Sequence, residues 1–372
     1  MKDQTWSAPE TEIFETIRRA QNSDSQAVIA HIVGVEGNAY RRPGAKMVVS
    51  ENRVGVGNIT AGCLEGDVID IASKVMKTGV PVIQTYDLMQ DRDDMWGLGI
   101  GCNGIIDILI EQVNSSYKPV IEAIDNGNSI SVITVLSGDV PIGTKAYYTL
   151  NNGMVLSPNF PVWLANEVES EALSSTKTGK STSLEITTSS GSVKVFIDGI
   201  LPMPKILIIG SGNDVSPVVE VAKLNGFRVA IVGFRKGIKI DEKFPRADEF
   251  YNTSPASIAI DIPIDNNTSA ILMTHNFIDD RISLGALINT PIDYIGLLGP
   301  QNRFEEMLLE FKSEGRDFST EQLAKIYSPI GLDIGGGSPY QIATSIVSEI
   351  LSICHNRVPG HLKNRKGHIH ER

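Results

Sequence analysis

Two short stretches hold the side chains best suited to chemistry, Tyr40-Arg-Arg-Pro-Gly-Ala-Lys46 and Ala61-Gly-Cys-Leu-Glu-Gly66. They place guanidinium groups, an ammonium group, glycines and a thiol within one short span. Gly62 frees the backbone before an expected helix start, and Cys63 then lies where unpaired helical N–H groups would lower a thiol pKa. Two readings of Cys63 stand side by side: a reactive or metal-seeking sulfur, and a small buried cysteine beside a structural turn. A second glycine-rich stretch, Gly97-Leu-Gly-Ile-Gly-Cys-Asn-Gly104, carries Cys102. Cys63 and Cys102 are expected to lie close together in one sulfur-lined cleft.

The elements that must position these residues can be read from apolar spacing. After a first helix over residues 10–20, Ala27-Val-Ile-Ala-His-Ile-Val33 reads as a buried strand, and residues 34–44 form a loop into the strand Lys46-Met-Val-Val-Ser50. Leu64, Val68, Ile71, Ala72 and Val75 recur at helical spacing, which puts Cys63 in that helix's first turn. Strands near 82–86 and over 105–110 flank the second glycine loop. Residues 167–192 shift to Ser, Thr and Lys, and surface hairpins or a mobile segment are expected there.

Pro202-Met-Pro204 reads as an extended linker and a domain boundary. Directly after it come a strand over 205–209, the turn Gly210-Ser-Gly-Asn-Asp-Val215, a helix ending at Gly226 and a strand over 228–232. This is a βαβ unit with Gly210 and Gly212 as the first two glycines of a dinucleotide fingerprint, its third glycine replaced by Val215. The helix start would still attract a phosphate. The acidic residue that would hold a ribose is absent from Val232-Gly-Phe-Arg235, which weakens an NAD reading. Arg235 reads either as a phosphate partner or as a solvated surface charge. Two later strands end at His275 and Gly299, where ligand residues gather on such sheets, so His275, Asn276 and Arg303 are candidates. Ser338, Pro339 and Gln341 form a capping box, followed by a stripe of Ile342, Ile346, Ile350 and Cys354 that reads as core. Residues 355–372 hold most of the histidines without apolar periodicity and read as a solvated, disordered tail.

Composition narrows the function classes. A chain of 372 residues with net charge −11 is long enough for two or three domains and lacks the basic surface that nucleic-acid binding needs. Residues 1–8 have neither the basic start nor the apolar run of a signal peptide, and no stretch reaches membrane-spanning length, so a cytoplasmic protein is expected. Three scattered cysteines, without a CxxC pair, exclude a disulfide framework or a zinc ribbon.

At these motifs the chain resembles the XdhC/CoxI family, accessory proteins that mature xanthine dehydrogenase and related molybdenum hydroxylases. The resemblance rests on residues 40–46, Asn58-Ile-Thr-Ala-Gly-Cys-Leu-Glu-Gly-Asp67, Leu98-Gly-Ile-Gly-Cys102, Gly210-Ser-Gly212, Thr274-His-Asn276, Tyr294-Ile-Gly-Leu-Leu-Gly299 and Pro329-Ile-Gly-Leu-Asp-Ile-Gly335. It implies an α/β protein: an amino-terminal domain of the XdhC/CoxI type over 1–201, then a Rossmann-like parallel-sheet domain over 205–354. It also implies binding of the molybdenum cofactor (molybdopterin), protection during sulfuration with a cysteine desulfurase, and delivery to an apo-xanthine dehydrogenase or related hydroxylase. Arg41, Arg42, Lys46, Gly62, Cys63, Glu65, Gly101, Cys102, Gly210, Gly212 and His275 are the implied binding residues, with Cys63 or Cys102 as thiolate ligands to molybdenum. A nucleotide at the Rossmann-like domain is a further implication. The chain departs from the family pattern at Thr60-Ala-Gly62, Asn103, Asn213 and Gly233, which bears more on the nucleotide site than on the cysteine site. An NAD(P)-dependent oxidoreductase is the alternative, disfavoured by the missing ribose acid. A homodimer is the expected assembly, two-fold dimers being the commonest.

Overall fold

The computed structural model describes residues 10–23, 25–60, 62–88, 103–234 and 239–366. The chain divides into two compact units, 1–202 and 203–372.

The first unit opens with helix α1 (Glu10–Gln21) and strands β1 (Ala27–Asn38), β2 (Lys46–Ser50) and β3 (Gly55–Gly57). Helix α2 (Glu65–Thr78) and strands β4 (Val82–Asp87) and β5 (Asn103–Gln112) complete one antiparallel sheet, ordered β3-β2-β1-β5-β4. The same succession then recurs as α3 (Lys118–Asp125), β6 (Ile130–Gly138), β7 (Lys145–Thr149), β8 (Gly153–Leu156), α4 (Val162–Thr178), β9 (Thr182–Thr188) and β10 (Gly191–Ile200). Its sheet is ordered β8-β7-β6-β10-β9.

Side chains alternate across each strand, so one face of each sheet packs on a helix and the other looks inward. In β1, Val28, Ala30 and Ile32 join the core beneath α2. Ile29 and His31 point the opposite way, toward Val132, Thr134 and Phe196 of the second sheet. Both faces of these central strands are therefore covered, which explains why β1 and β6 read as nearly unbroken apolar runs. Of residues 167–192, expected as surface hairpins or a mobile segment, the second half lies in the β9–β10 hairpin and the first half differs. Most of the first half is helix, because Val168 and Ala172 are buried and the hydroxyls of Ser131 and Thr176 bond to each other and to the Ala172 carbonyl.

The second unit is a parallel sheet built in the order β11 (Lys205–Ile209), α5 (Val215–Leu224), β12 (Arg228–Gly233), α6 (Ile240–Lys243), β13 (Glu249–Asn252), α7 (Ile258–Asp261), β14 (Thr268–Leu272) and α8 (Phe277–Leu287). Then come β15 (Tyr294–Leu297), α9 (Gln301–Ser313), α10 (Thr320–Leu323), β16 (Ile326–Tyr327) and α11 (Pro339–Cys354). Strand order is β13-β12-β11-β14-β15-β16, with α5 and α11 packed on one face and α8 and α9 on the other. The order reverses between β11 and β14, and the crevice outside their carboxyl ends is where such sheets bind ligands. The capping box of Ser338 and Gln341 is present at the start of α11. Cys354, expected in the core, is exposed at that helix's last turn, because the buried stripe runs through Ala343, Ile346, Val347 and Ile350 and ends one turn earlier.

Candidate functional site

The two amino-terminal motifs meet as neighbouring loops. Arg41 Nε donates to Asn58 Oδ1 at 3.1 Å, tying the loop before β2 to the loop before α2. Arg41 and Arg42 are exposed, and Tyr40 beside them is 58% exposed. Gly62 has φ 112, a conformation that a side chain would strain, so glycine is needed to turn the chain into α2. Cys63 follows, half-buried against the core under α2. It precedes the helix rather than lying in its first turn, since the first helical residue is Glu65.

Glu65 was expected to touch ligand, and the structure turns it inward. It is 2% exposed, and its Oε1 accepts the Thr60 amide at 2.7 Å. Its Oε2 accepts the Thr60 hydroxyl and the Leu64 amide. Leu64, at the cap position, has no polar side chain, so this carboxylate satisfies amides at the helix start and fixes the turn that carries Cys63. Lys46, likewise expected at the ligand, also turns inward. Its Nζ donates to Asp198 Oδ1 at 3.0 Å and to the Gly44 carbonyl at 2.8 Å, and it is 7% exposed, so it does not stand with Arg41 and Arg42 on the surface. Gly101 and Cys102, the other expected residues of this site, lie outside the described residues. So does Arg235. Leu88 and Gly104, on either side of the first of these gaps, are joined by a Leu88 amide to Gly104 carbonyl bond of 3.0 Å, and Leu88 belongs to the core on which Cys63 packs.

Between the two sheets lies a charged cluster that sequence reasoning missed. Lys145 Nζ donates to Glu111 Oε1 at 2.6 Å and to Thr134, while Lys46 meets Asp198 as described. Tyr117 also donates to Glu111 Oε1 at 2.6 Å, so His31 Nε2, 3.1 Å away, must donate to the Tyr117 oxygen. His31 Nδ1 is then a bare acceptor without a partner, 4.0 Å from Asp198 Oδ2. Burial first, then Lys46 and Lys145, push the His31 pKa well down and keep the ring neutral. Burial and Glu111 push Tyr117 up. The signal in the sequence was a titratable residue interrupting each apolar strand: His31 in β1, Glu111 in β5 and Asp198 in β10.

In the second unit, Gly210 and His275 do converge at the crevice. Gly210 has φ 143, and a Cβ there would lie 2.5 Å from the Met273 carbonyl oxygen, so glycine lets β11 turn against the end of β14. A Cβ at Gly212 would lie 2.3 Å from Asp214 Oδ1, which places a carboxylate over the glycine turn. His275 Nε2 meets Asp214 Oδ2 at 2.7 Å. Lys243 donates to the Ser211 carbonyl at 2.6 Å. The backbone of the β14–α8 turn is held by Asp280, which accepts from the Thr274 amide and hydroxyl and from Arg303 at 2.6 Å. Asn276 caps α8. The start of α5 thus already has an anion beside it, the Asp214 carboxylate, where a nucleotide would bring its phosphate. Among the described residues no group of three or more His, Cys, Asp or Glu side chains is arranged to hold a metal ion. No helix among them is long and apolar enough to cross a membrane.

Comparison with known proteins adds independent findings. Residues 20–87 match the profile described as the XdhC and CoxI family, and residues 206–350 match the one described as the XdhC Rossmann domain. The chain is 30% identical over 344 residues to a probable xanthine dehydrogenase subunit of Bacillus subtilis, covering 91% of this chain and 96% of that protein. It is 23% identical over 367 residues to the molybdenum cofactor insertion chaperone PaoD of Escherichia coli, covering 95% and 93%. A crystal structure described as a xanthine dehydrogenase from Bacillus halodurans superposes with TM-score 0.73 at 28% identity, over 94% of this chain and 97% of that one.

Proposed function

The chain belongs to the XdhC and CoxI family, and from that premise we propose that it binds the molybdenum cofactor as cargo, shields it during sulfuration and delivers it to an apo-molybdenum hydroxylase such as xanthine dehydrogenase. The observation that carries this reading is the pairing of the two amino-terminal loops. Arg41, bonded to Asn58, brings exposed guanidinium groups to the loop that presents Cys63 behind Gly62. A pterin with a terminal phosphate calls for cationic donors, and a sulfur-rich molybdenum centre calls for a thiolate. The residues present fit that cargo.

In this proposal Arg41 and Arg42 pair with the phosphate, Cys63 supplies a sulfur to the metal, and Thr60 and Glu65 hold the turn rigid without touching the ligand. Cys102 is proposed as the second thiol. That proposal is supported by the position of Leu88, which precedes its stretch of chain and packs in the same core as Cys63. A cysteine desulfurase would donate the sulfur, and the protein would act as a homodimer in the cytoplasm. Binding without turnover is the mode proposed.

The dehydrogenase alternative is disfavoured by Asp214, whose carboxylate covers the glycine turn where pyrophosphate would bind. The test is to purify the protein anaerobically from cells that make the cofactor and to measure pterin and molybdenum per chain. Pterin with molybdenum in the wild type, falling at least tenfold in Cys63→Ala, is the expected result. Pyridine nucleotide in place of pterin would overturn it.

A further inference from the structure

The two successions of elements in the first unit correspond position by position along their central strands and at their helix ends. In β1, His31 pairs with Lys46 on one side and Leu109 on the other; in β6, Thr134 pairs with Lys145 and Phe196. One step further along the same faces, Ile29 stands opposite Glu111, and Val132 opposite Asp198. The bulge recurs at the matching place: Val33 is skipped between Ile32 and Gly34, and Leu136 between Val135 and Ser137. The loops before β2 and β7 are held alike, by Ile32 amide to Ala45 carbonyl and Gly44 amide to Ile32 carbonyl bonds, and by Val135 to Thr144 and Gly143 to Val135 bonds, all 2.9 Å. Helices α2 and α4 end on left-handed glycines, Gly79 with φ 68 and Gly179 with φ 67.

The contacts between the copies are those of a two-fold interface, in which residue i meets j and j meets i. Lys46 of the first copy pairs with Asp198 of the second, and Lys145 of the second pairs with Glu111 of the first. Equivalent residues also meet each other: Asp107 Oδ2 lies 3.8 Å from Lys194 Nζ. Random resemblance of two sheets would not align a bulge, two loop hydrogen-bond pairs and a reciprocal set of buried ion pairs.

The copies differ where ligand chemistry is concerned. Counting back from the matched glycines, Cys63 corresponds to Trp163, Gly62 to Val162 and Glu65 to Ala165. Leu64 and Leu164, buried alike, support that alignment. Counting from the matched lysines, Arg41 and Arg42 correspond to Val140 and Pro141. The Trp163 ring fills its own surroundings, lying 3.2 Å from where a Cβ on Gly191 would be.

We propose that the first unit is a fused pair of copies of one ancestral fold, and that only the first copy retains a ligand site, the matching place in the second being filled by Trp163. The second clause rests on the cofactor-binding reading above; the first does not. Gly44 and Lys46, shared with Gly143 and Lys145, are architectural. Arg41, Arg42 and Cys63, found in one copy only, determine what is bound, with one cofactor per chain.

The experiment produces the full-length chain in cells that make molybdenum cofactor, with Lys46→Met, Lys145→Met and the Arg41→Ala/Arg42→Ala double variant, and measures Tm and molybdenum per chain. Each lysine variant should lower Tm by roughly 10 °C, because each leaves a buried carboxylate without its counter-charge. The two losses should agree within a few degrees, and the folded protein should keep its molybdenum. The arginine variant should hold its Tm and lose molybdenum at least tenfold. Unequal lysine effects, two molybdenum atoms per chain, or loss of molybdenum in Lys46→Met at unchanged Tm would each overturn the proposal. Should the methionine variants fail to fold, Lys46→Arg and Lys145→Arg replace them, with the same required match. A wild type without molybdenum would end the cofactor reading, and the fused-pair claim would then be decided by the lysine comparison alone.

Discussion

The Asp214 carboxylate and the His275 ring meet at 2.7 Å across the carboxyl ends of the first and fourth strands of the parallel sheet, closing over the turn between Gly210 and Gly212. The helix start that would welcome a phosphate already has a negative charge beside it. NAD should therefore bind weakly, and Asp214→Asn should strengthen binding of phosphate-bearing nucleotides by roughly tenfold, the effect of removing one nearby like charge. Calorimetric titration with NAD, NADP and ATP reads this directly; equal affinities for wild type and variant would show that the carboxylate is no obstacle.

Acid should destabilise the first unit through His31. Burial, then Lys46 and Lys145, hold its pKa well below the ordinary imidazole value, so between that lowered pKa and about 6.5 the unfolded chain binds a proton that the folded one does not. Stability then falls as pH drops below about 6.5, by up to about 1.4 kcal/mol per pH unit. His31→Thr, which copies Thr134, should flatten this slope between pH 7 and pH 5 in urea unfolding. An unchanged slope would assign the acid sensitivity to other groups.

Removing Glu65 should loosen the cysteine loop more than its single charge suggests. Glu65→Ala leaves the Thr60 amide without its partner and the Leu64 amide with only the Thr60 hydroxyl at 3.4 Å, in a buried turn, and a loss of about 2–4 kcal/mol is expected. Arg53→Ala, which breaks an exposed pair with Asp70, should lose less than about 0.5 kcal/mol. Equal losses in denaturant unfolding would contradict the role given to Glu65.

Two glycines in helical or turn settings should respond in opposite directions. Gly210→Ala forces a Cβ to within 2.5 Å of a carbonyl oxygen at a positive φ, and about 3 kcal/mol or more should be lost. Gly66→Ala meets nothing within 4 Å and lies inside α2, so it should stabilise by up to about 1 kcal/mol. Thermal unfolding of the two variants checks both signs.

By itself the sequence determined the local order of the chain. Alternation and helical spacing are properties of neighbouring residues, so the strands over 27–33 and 46–50, the helix after Cys63, the βαβ unit at Gly210 and the cap at Ser338 were all legible. The same locality misled at residues 167–192, where Ser and Thr look solvated until Thr176 and Ser131 are seen bonding to each other inside the fold. Lys46, which the family resemblance implied as a binding residue with Arg41 and Arg42, is a further case. Only the tertiary structure could decide otherwise, because Asp198, the partner of Lys46, lies 152 residues away in the chain. The reciprocity of Lys46 with Asp198 and Lys145 with Glu111 is a relation between two folded sheets, and no stretch of sequence contains it. Direction of approach across a sheet is set by packing, and packing is what turned a signature lysine into an internal strut while leaving Arg41, Arg42 and Cys63 at the surface loops.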